Sequence, residues 1–234
     1  TGYHLQVIED RARYALYEGD EQIAVVEMVR VGGGARMPTA LAQGVIDIGL
    51  GGVAAVLGAW DKGAPVKMIS PLHYKGDMFV VRPDSPVQSW ADFVELARKS
   101  EKPLRVGYKN PLAVAKIIVE EALAHEGIAY SGDPTDRNAR VILVNVNGEP
   151  NLNLSLAQGI VDAYAGNNPY PAIGVEQGIA RIVTDLETLP PGTFRDHPCC
   201  CIGGNVTAIE EKQRAVVGML ALLAAATQVI NTDL

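Results

Sequence analysis

Apolar and polar residues alternate over Leu5 to Ile8 and over Ile23 to Val31, around a polar turn at Glu18-Gly19-Asp20. This pattern predicts two strands separated by a polar stretch. A Gly32-Gly33-Gly34 loop then opens a helix of about ten residues that ends at Gly44, a residue suited to a left-handed cap. A strand over Val45 to Leu50, a Gly51-Gly52 loop, a helix over Val53 to Lys62 and a strand over Val66 to Ser70 follow. Strand, helix, strand, helix, strand is the order of a parallel sheet with right-handed crossovers.

After the polar segment Arg82 to Pro86, Trp90, Phe93, Val94 and Ala97 recur at helical spacing and predict an amphipathic helix over Ser89 to Ala97. A second α/β set is predicted beyond it: strand Leu104 to Tyr108, helix Pro111 to His125, strand Val141 to Val146, helix Asn151 to Gln158 and strand Ile160 to Ala165. A strand over Ile182 to Thr184 and a cysteine segment come next. The apolar stretch Ala215 to Ile230 is shorter than the ~20 residues of a membrane span and is read as a buried helix. Thr207 and Glu210 ahead of it have capping-box spacing.

One heptapeptide recurs. Leu41-Ala42-Gln43-Gly44-Val45-Ile46-Asp47 returns as Leu156-Ala157-Gln158-Gly159-Ile160-Val161-Asp162. Each copy reads as a helix ending on Gly, then a strand with Asp third, then a loop of small or polar residues. Two copies are too few for a solenoid and predict two similar α/β lobes, chance similarity being the alternative.

Composition narrows the class. The 234 residues suffice for one large domain or two lobes, and 48% hydrophobic with 20% charged residues describes a folded globular chain. A net charge of -7 argues against nucleic acid or an anionic membrane surface as partner. Thr1 to Asp10 lacks the basic start and apolar run of a signal peptide.

The only cysteines are adjacent: Cys199, Cys200 and Cys201. No separated pair exists for a disulfide. In an extended segment His197, Cys199 and Cys201 point one way and Cys200 the other. Three readings stay open: small hydrophobes packed in a strand, a soft-metal site of His197, Cys199 and Cys201 taking iron or zinc, or contact of Cys199 with an organic ligand.

Several loops carry candidate ligand contacts. Gly33, Gly34, Gly51 and Gly52 precede helices, where bare backbone amides accept an electron-rich group, or they are tight turns. Tyr108, Lys109 and Asn110 follow a strand in the second set; Tyr108 suits stacking, Asn110 hydrogen bonding, and Lys109 ligand contact or solvent. Asn167, Asn168 and Tyr170 open the helix after the repeated strand and suit a polar, planar molecule, or form an ordinary turn. His73 ends a strand and is a contact, a packed residue or an exposed one.

Ala40-Leu41-Ala42-Gln43-Gly44-Val45-Ile46-Asp47-Ile48-Gly49, Gly63-Ala64-Pro65-Val66, Ser89-Trp90-Ala91-Asp92-Phe93 and Leu104-Arg105-Val106-Gly107 together resemble the type II periplasmic binding proteins of the nitrate/sulfonate/thiamine-precursor group. The resemblance implies an α/β, two-lobed fold with two crossing hinge segments, near Met78 to Arg82 and Cys199 to Val206. Lobe 1 would comprise residues 1–79 and 202–234, and lobe 2 residues 80–201, with ligand held between them. It further implies a monomeric, extracytoplasmic solute-binding protein, without cofactor, that serves the membrane permease of an ABC-type transporter. Thiamine-pyrimidine-like compounds and sulfonates are the implied ligands. The cysteine run also resembles that of fungal thiamine-pyrimidine synthases, which use pyridoxal phosphate, a donated histidine and iron. Here Ile202 and Gly203 replace their Phe and fourth Cys, and Gly51 and Ala55 stand where they have the cofactor lysine and donor histidine. A binding role is therefore expected; an enzyme on the same scaffold, a synthase or metal-dependent lyase using Cys199 and Cys201, is the alternative.

Overall fold

The computed structural model describes residues 1–8, 13–31 and 36–232; Gly33 and Gly34 lie outside the described residues. The chain opens with an antiparallel meander, β1 (Tyr3–Val7), β2 (Arg13–Glu18) and β3 (Glu21–Glu27). The interval expected to be only polar contains β2. Its two aliphatic residues, Ala15 and Leu16, are fully buried, while tyrosines and charges around them mask the strand.

Next come α1 (Met37–Ala42), β4 (Ile48–Gly52), α2 (Val53–Asp61), β5 (Val66–Tyr74) and β6 (Asp77–Val81). They are followed by α3 (Trp90–Lys99), β7 (Leu104–Tyr108), α4 (Val114–His125), β8 (Tyr130–Ser131), β9 (Val141–Asn145), α5 (Pro150–Ala157) and β10 (Ala163–Asn167). The chain continues with α6 (Tyr170–Glu176), β11 (Arg181–Asp185), β12 (Pro198–Asn205), α7 (Val206–Glu211) and α8 (Gln213–Thr232).

Two sheets frame the site. In the first, β12 lies between β4 and β5 and runs antiparallel to both. The expected parallel neighbours β4 and β5 are therefore separated by a strand from the far end of the chain. The second sheet has the order β11-β6-β10-β7-β9-β8, parallel from β10 to β8 and antiparallel at β6 and β11. Alternation assigns its faces. Phe79, Val81, Ala163 and Ala165 join a cluster with α3 and α4, whereas Val80 and Tyr164 point to the other face and pack with Leu152 and Leu156 of α5.

The repeated heptapeptide folds the same way twice. Gly44 and Gly159 sit at φ 68° and 66°, a left-handed geometry that glycine adopts without Cβ strain. The next amides fold back, Val45 N–H to Ala40 O at 2.9 Å and Ile160 N–H to Ser155 O at 2.9 Å. That turn consumes three residues, so Asp47 and Asp162 precede β4 and β10 and are not the third residue of a strand. Both carboxylates are paired, Asp47 with Lys212 and Asp162 with Arg105.

Helix α3 matches its pattern: Trp90, Phe93, Val94 and Ala97 are its buried residues. Ser89 Oγ accepts from Asp92 N–H at 3.2 Å, and the Asp92 carboxylate accepts from Ser89 N–H at 2.8 Å. Ser89→Ala, which orphans the Asp92 amide, is expected to cost about 1 kcal/mol in urea unfolding; an unchanged midpoint would show the cap to be dispensable.

The C-terminal helices differ from expectation. The cap before α7 is Asn205, whose side chain accepts from Ala208 N–H at 3.1 Å, and not Thr207. Helix α8 is not buried. It lies on the N-terminal meander, with Gly218 against Tyr3 and Leu16 and Arg214 paired to Glu18 and Glu21. Only Val216 and Gly218 are buried, and Val229 and Ile230 are more than half exposed. Its 20 residues are by length and composition alone sufficient to cross a membrane.

Candidate functional site

The strand β12 brings the cysteines to the place where the chain changes sheet. Cys200 pairs with Gly52 of β4 and His73 of β5, and Cys201 pairs with Gly51 and Pro71. The ladder to β5 slips at Cys200, and such a bulge breaks strict alternation. The outcome differs from the expected geometry: Cys199 and Cys200 lie together, with Sγ atoms 3.9 Å apart. Cys201 is fully buried among apolar side chains.

From the second sheet come Asp77, at the start of β6, and the loop after β7. These residues and the thiol strand line one small cavity of about 20 Å³, with Gly52, Ala55, Asp77, Lys109, Asn110 and Cys199 among its walls. Lys109 is not simply solvated. Its Nζ bonds Glu149 at the start of α5 and, at 2.6 Å, Asn167 Oδ1 at the end of β10. Asn110 Oδ1 accepts from Leu112 N–H at 3.0 Å, so Asn110-Pro111-Leu112 forms a turn and α4 begins at Val114, later than expected.

The other expected contacts stand further back. Tyr108 is buried, with Lys116 Nζ 5.4 Å from its ring centre, so its face is taken. Asn168 is exposed and its N–H donates to Gly76 O at 3.0 Å. Tyr170 is half-buried and its carbonyl accepts from Asn153 at 2.9 Å. Gly51 lies in β4, one residue from the cavity wall, and His73 is exposed beside the two thiols.

His197 is 5% exposed and engaged at both nitrogens: Nε2 meets Asp77 Oδ2 at 2.9 Å and Nδ1 meets Phe194 O at 2.8 Å. Both neighbours are acceptors, so the pocket favours a proton on each nitrogen and hence the imidazolium form. Burial works against that charge, but Asp77, the Phe194 carbonyl and the Glu187 charge outweigh it and raise the His197 pKa. The expected metal set His197, Cys199 and Cys201 is thus not assembled. His73, Cys199 and Cys200 are, with ligand atoms all within 4.8 Å of one another.

The thiols divide the work of holding charge. Cys199 donates toward Cys200, which with burial and Asp77 pushes the Cys199 thiol far up. The same bond, opposed by burial and aided by His73 and Lys109, draws Cys200 down to about 6. Burial and the Cys200 charge push Cys201 up to about 11. Iodoacetamide at pH 7 is therefore expected to modify Cys200 first, with a rate that levels off by pH 7.5. Peptide mass spectrometry showing Cys199 or Cys201 labelled first would contradict this assignment.

Asp77 escapes a reading by composition. The signal for it is a carboxylate opening an apolar run, Met78-Phe79-Val80-Val81, which calls for a buried partner. Glu149, by contrast, offers no such signal in a segment of mixed polarity.

A model of the NMT1-like family matches residues 12–233. An uncharacterized protein of Methanocaldococcus jannaschii is 38% identical over 73 residues, covering 31% of this chain and 50% of that protein. Among solved structures, the ligand binding component of an ABC-type import system from Staphylococcus aureus with zinc bound superposes with a TM-score of 0.68 at 14% identity. The match covers 85% of this chain and 62% of that one. The periplasmic aliphatic sulphonate binding protein SsuA from Escherichia coli gives 0.65 at 21%, covering 88% and 64%. The chain thus spans about half the length of its curated relative and less than two thirds of these solved chains.

Proposed function

The chain belongs to the NMT1-like family and has the two-lobed type II periplasmic-binding-protein fold, and from that premise we propose that it reversibly captures a small polar solute between its lobes. The captured molecule passes to the membrane permease of an ABC-type importer, outside the cytoplasm. One observation carries the reading: Gly52 and Cys199 of one sheet, with Ala55 of the helix after β4, meet Asp77 of the other sheet and Lys109 and Asn110 of the loop after β7 around a single cavity. Ligands of open α/β sheets bind beyond strand ends where the chain changes direction, and both sheets contribute such ends here.

The lobe division we propose follows sheet membership. The chain changes sheet between Tyr74 and Asp77 and again between Asp185 and Pro198, and on that ground we put the whole thiol strand in the first lobe, in place of the expected boundary at 201/202. The cavity of about 20 Å³ holds little more than a water, so a heteroaromatic or sulfonate solute enters by separation of the lobes. Capture is preferred to catalysis because Ala55 presents only a methyl group to the cavity, where a synthase of this scaffold would need an imidazole.

The reading is tested by native mass spectrometry of protein from its own host, followed by calorimetry with an aliphatic sulfonate and an aminopyrimidine. We expect one retained or added solute per chain, and Asn110→Ala to weaken it about tenfold through loss of a hydrogen bond to the solute. Absence of any bound or binding solute, or indifference to Asn110→Ala, overturns it.

A further inference from the structure

We propose that His73, Cys199 and Cys200 form a binding site for one soft d10 cation, zinc(II) or copper(I). The inference goes beyond solute capture although it shares that cavity, because it rests on the placement of three side chains and on the size of the space beside them.

Two sulfurs held at about 2.3 Å by one tetrahedral or trigonal ion stand about 3.8 to 4.0 Å apart. Cys199 and Cys200 already have that spacing at 3.9 Å. It arises from the ladder slip opposite His73, which brings side chains of neighbouring residues to one side of β12. His73 completes the set, with the three ligand atoms within 4.8 Å of one another. Thiolate and imidazole are the ligands that zinc and copper(I) prefer over hard cations.

The surroundings suit an ion. Cys199 is 3% exposed, Cys200 is half-buried and His73 is exposed, so one ligand is fixed and another faces the entry path. Both thiols border the cavity of about 20 Å³, a volume that admits a single ion or water and leaves a fourth position open, as in sites that exchange a ligand. The neighbours that could compete are occupied: His197 is held by Asp77 and the Phe194 carbonyl, and Cys201 faces the core. Binding displaces the remaining thiol protons to solvent and involves no change of oxidation state.

Reduced, chelator-stripped protein is titrated anaerobically with zinc(II) against a chromophoric chelator and with copper(I) against bicinchoninate, with no organic solute present. Cobalt(II) serves as a spectroscopic stand-in. The expected result is one ion per chain and a cobalt charge-transfer band of two-thiolate intensity. Cys199→Ser and Cys200→Ser are expected to weaken binding by about 100-fold and His73→Ala by about tenfold, with Cys201→Ala unchanged. Unaltered affinity in either Cys199→Ser or Cys200→Ser, or no one-to-one binding of zinc or copper(I), overturns the site. Wild-type protein supplies a check independent of variant folding: the bound ion must shield Cys199 and Cys200 from alkylation, and labelling of both at saturation refutes the proposal. Because the titration uses metal alone, its failure leaves solute capture intact, and failure of solute binding leaves the metal site intact.

Discussion

Asp77→Ala is expected to destabilise the protein by about 3 to 5 kcal/mol, since it strips the partner from a buried charge. Asp77 and His197 are 2% and 5% exposed and meet at 2.9 Å, so the orphaned ring must lose its proton or remain charged away from water. For a chain of this size such a loss lowers the melting temperature on the order of 10 °C. The groups facing the His197 ring are Asp77, the Phe194 carbonyl and the Glu187 charge, and Asp77 also acts on the Cys199 thiol.

The pH dependence has a definite sign. The folded-state pKa of His197 is raised above its ordinary value near 6.5. Its protonated form therefore contributes stability that is complete below pH ~6.5 and is lost as pH rises through the folded value. The stability difference between wild type and Asp77→Asn, measured by urea unfolding from pH 5.5 to 9, should shrink with rising pH. A difference that stays constant, or widens, would show that His197 is not the titrating group.

Phe79→Ala is the second large effect, expected at about 3 to 5 kcal/mol. Phe79 is fully buried, two residues beyond Asp77, and packs edge-on against Trp90 and Phe93 with ring centres 5.4 and 4.8 Å away. Removing the ring opens a void that β6 and α3 cannot close together, because β6 is held by β10 and β11 on either side. The denaturant midpoint should fall with an unchanged slope. Leu50→Ala, at a side chain 49% exposed, is the matched control and should stay within about 0.5 kcal/mol. A loss at Phe79 no larger than at Leu50 would remove it from the structural core.

What could be read from sequence follows from how local each cause is. Helix α3 was legible because Ser89, Asp92 and the Trp90-Phe93-Val94-Ala97 spacing are local signals, and strand β7 because turn residues bound it. The heptapeptide repeat was legible as two Gly-capped helix ends, but the strands after them start late because the cap turn uses Val45 and Ile46. Strand β2 was hidden since only Ala15 and Leu16 carry its burial. The insertion of β12 between β4 and β5 depends on pairing across more than a hundred residues, which no local pattern encodes.

The site was legible as a set of loops more than as contacts. Asn110, Gly52 and Lys109 stand out by their strand-to-helix positions and Cys199 by the cysteine run, and the four line one cavity. The expected orientation of the thiols failed on the ladder slips on either side of Cys200, a tertiary event. Tyr108 offers a stacking surface by its loop position, whereas its ring fills the core. A lysine in a loop usually faces solvent; Lys109 instead ties the loop after β7 to Glu149 and Asn167.

The chain passes twice between the two sheets that frame the site, and the passages are stitched side by side: Lys75 N–H donates to His197 O at 3.0 Å, and Lys75 Nζ pairs with Glu187 and Asp196. A single tether would let one half swivel freely, like a ball in a socket. On the lobe division proposed above, two tethers laced together would act as the paired pins of a door, leaving one easy axis of rotation and penalising every other.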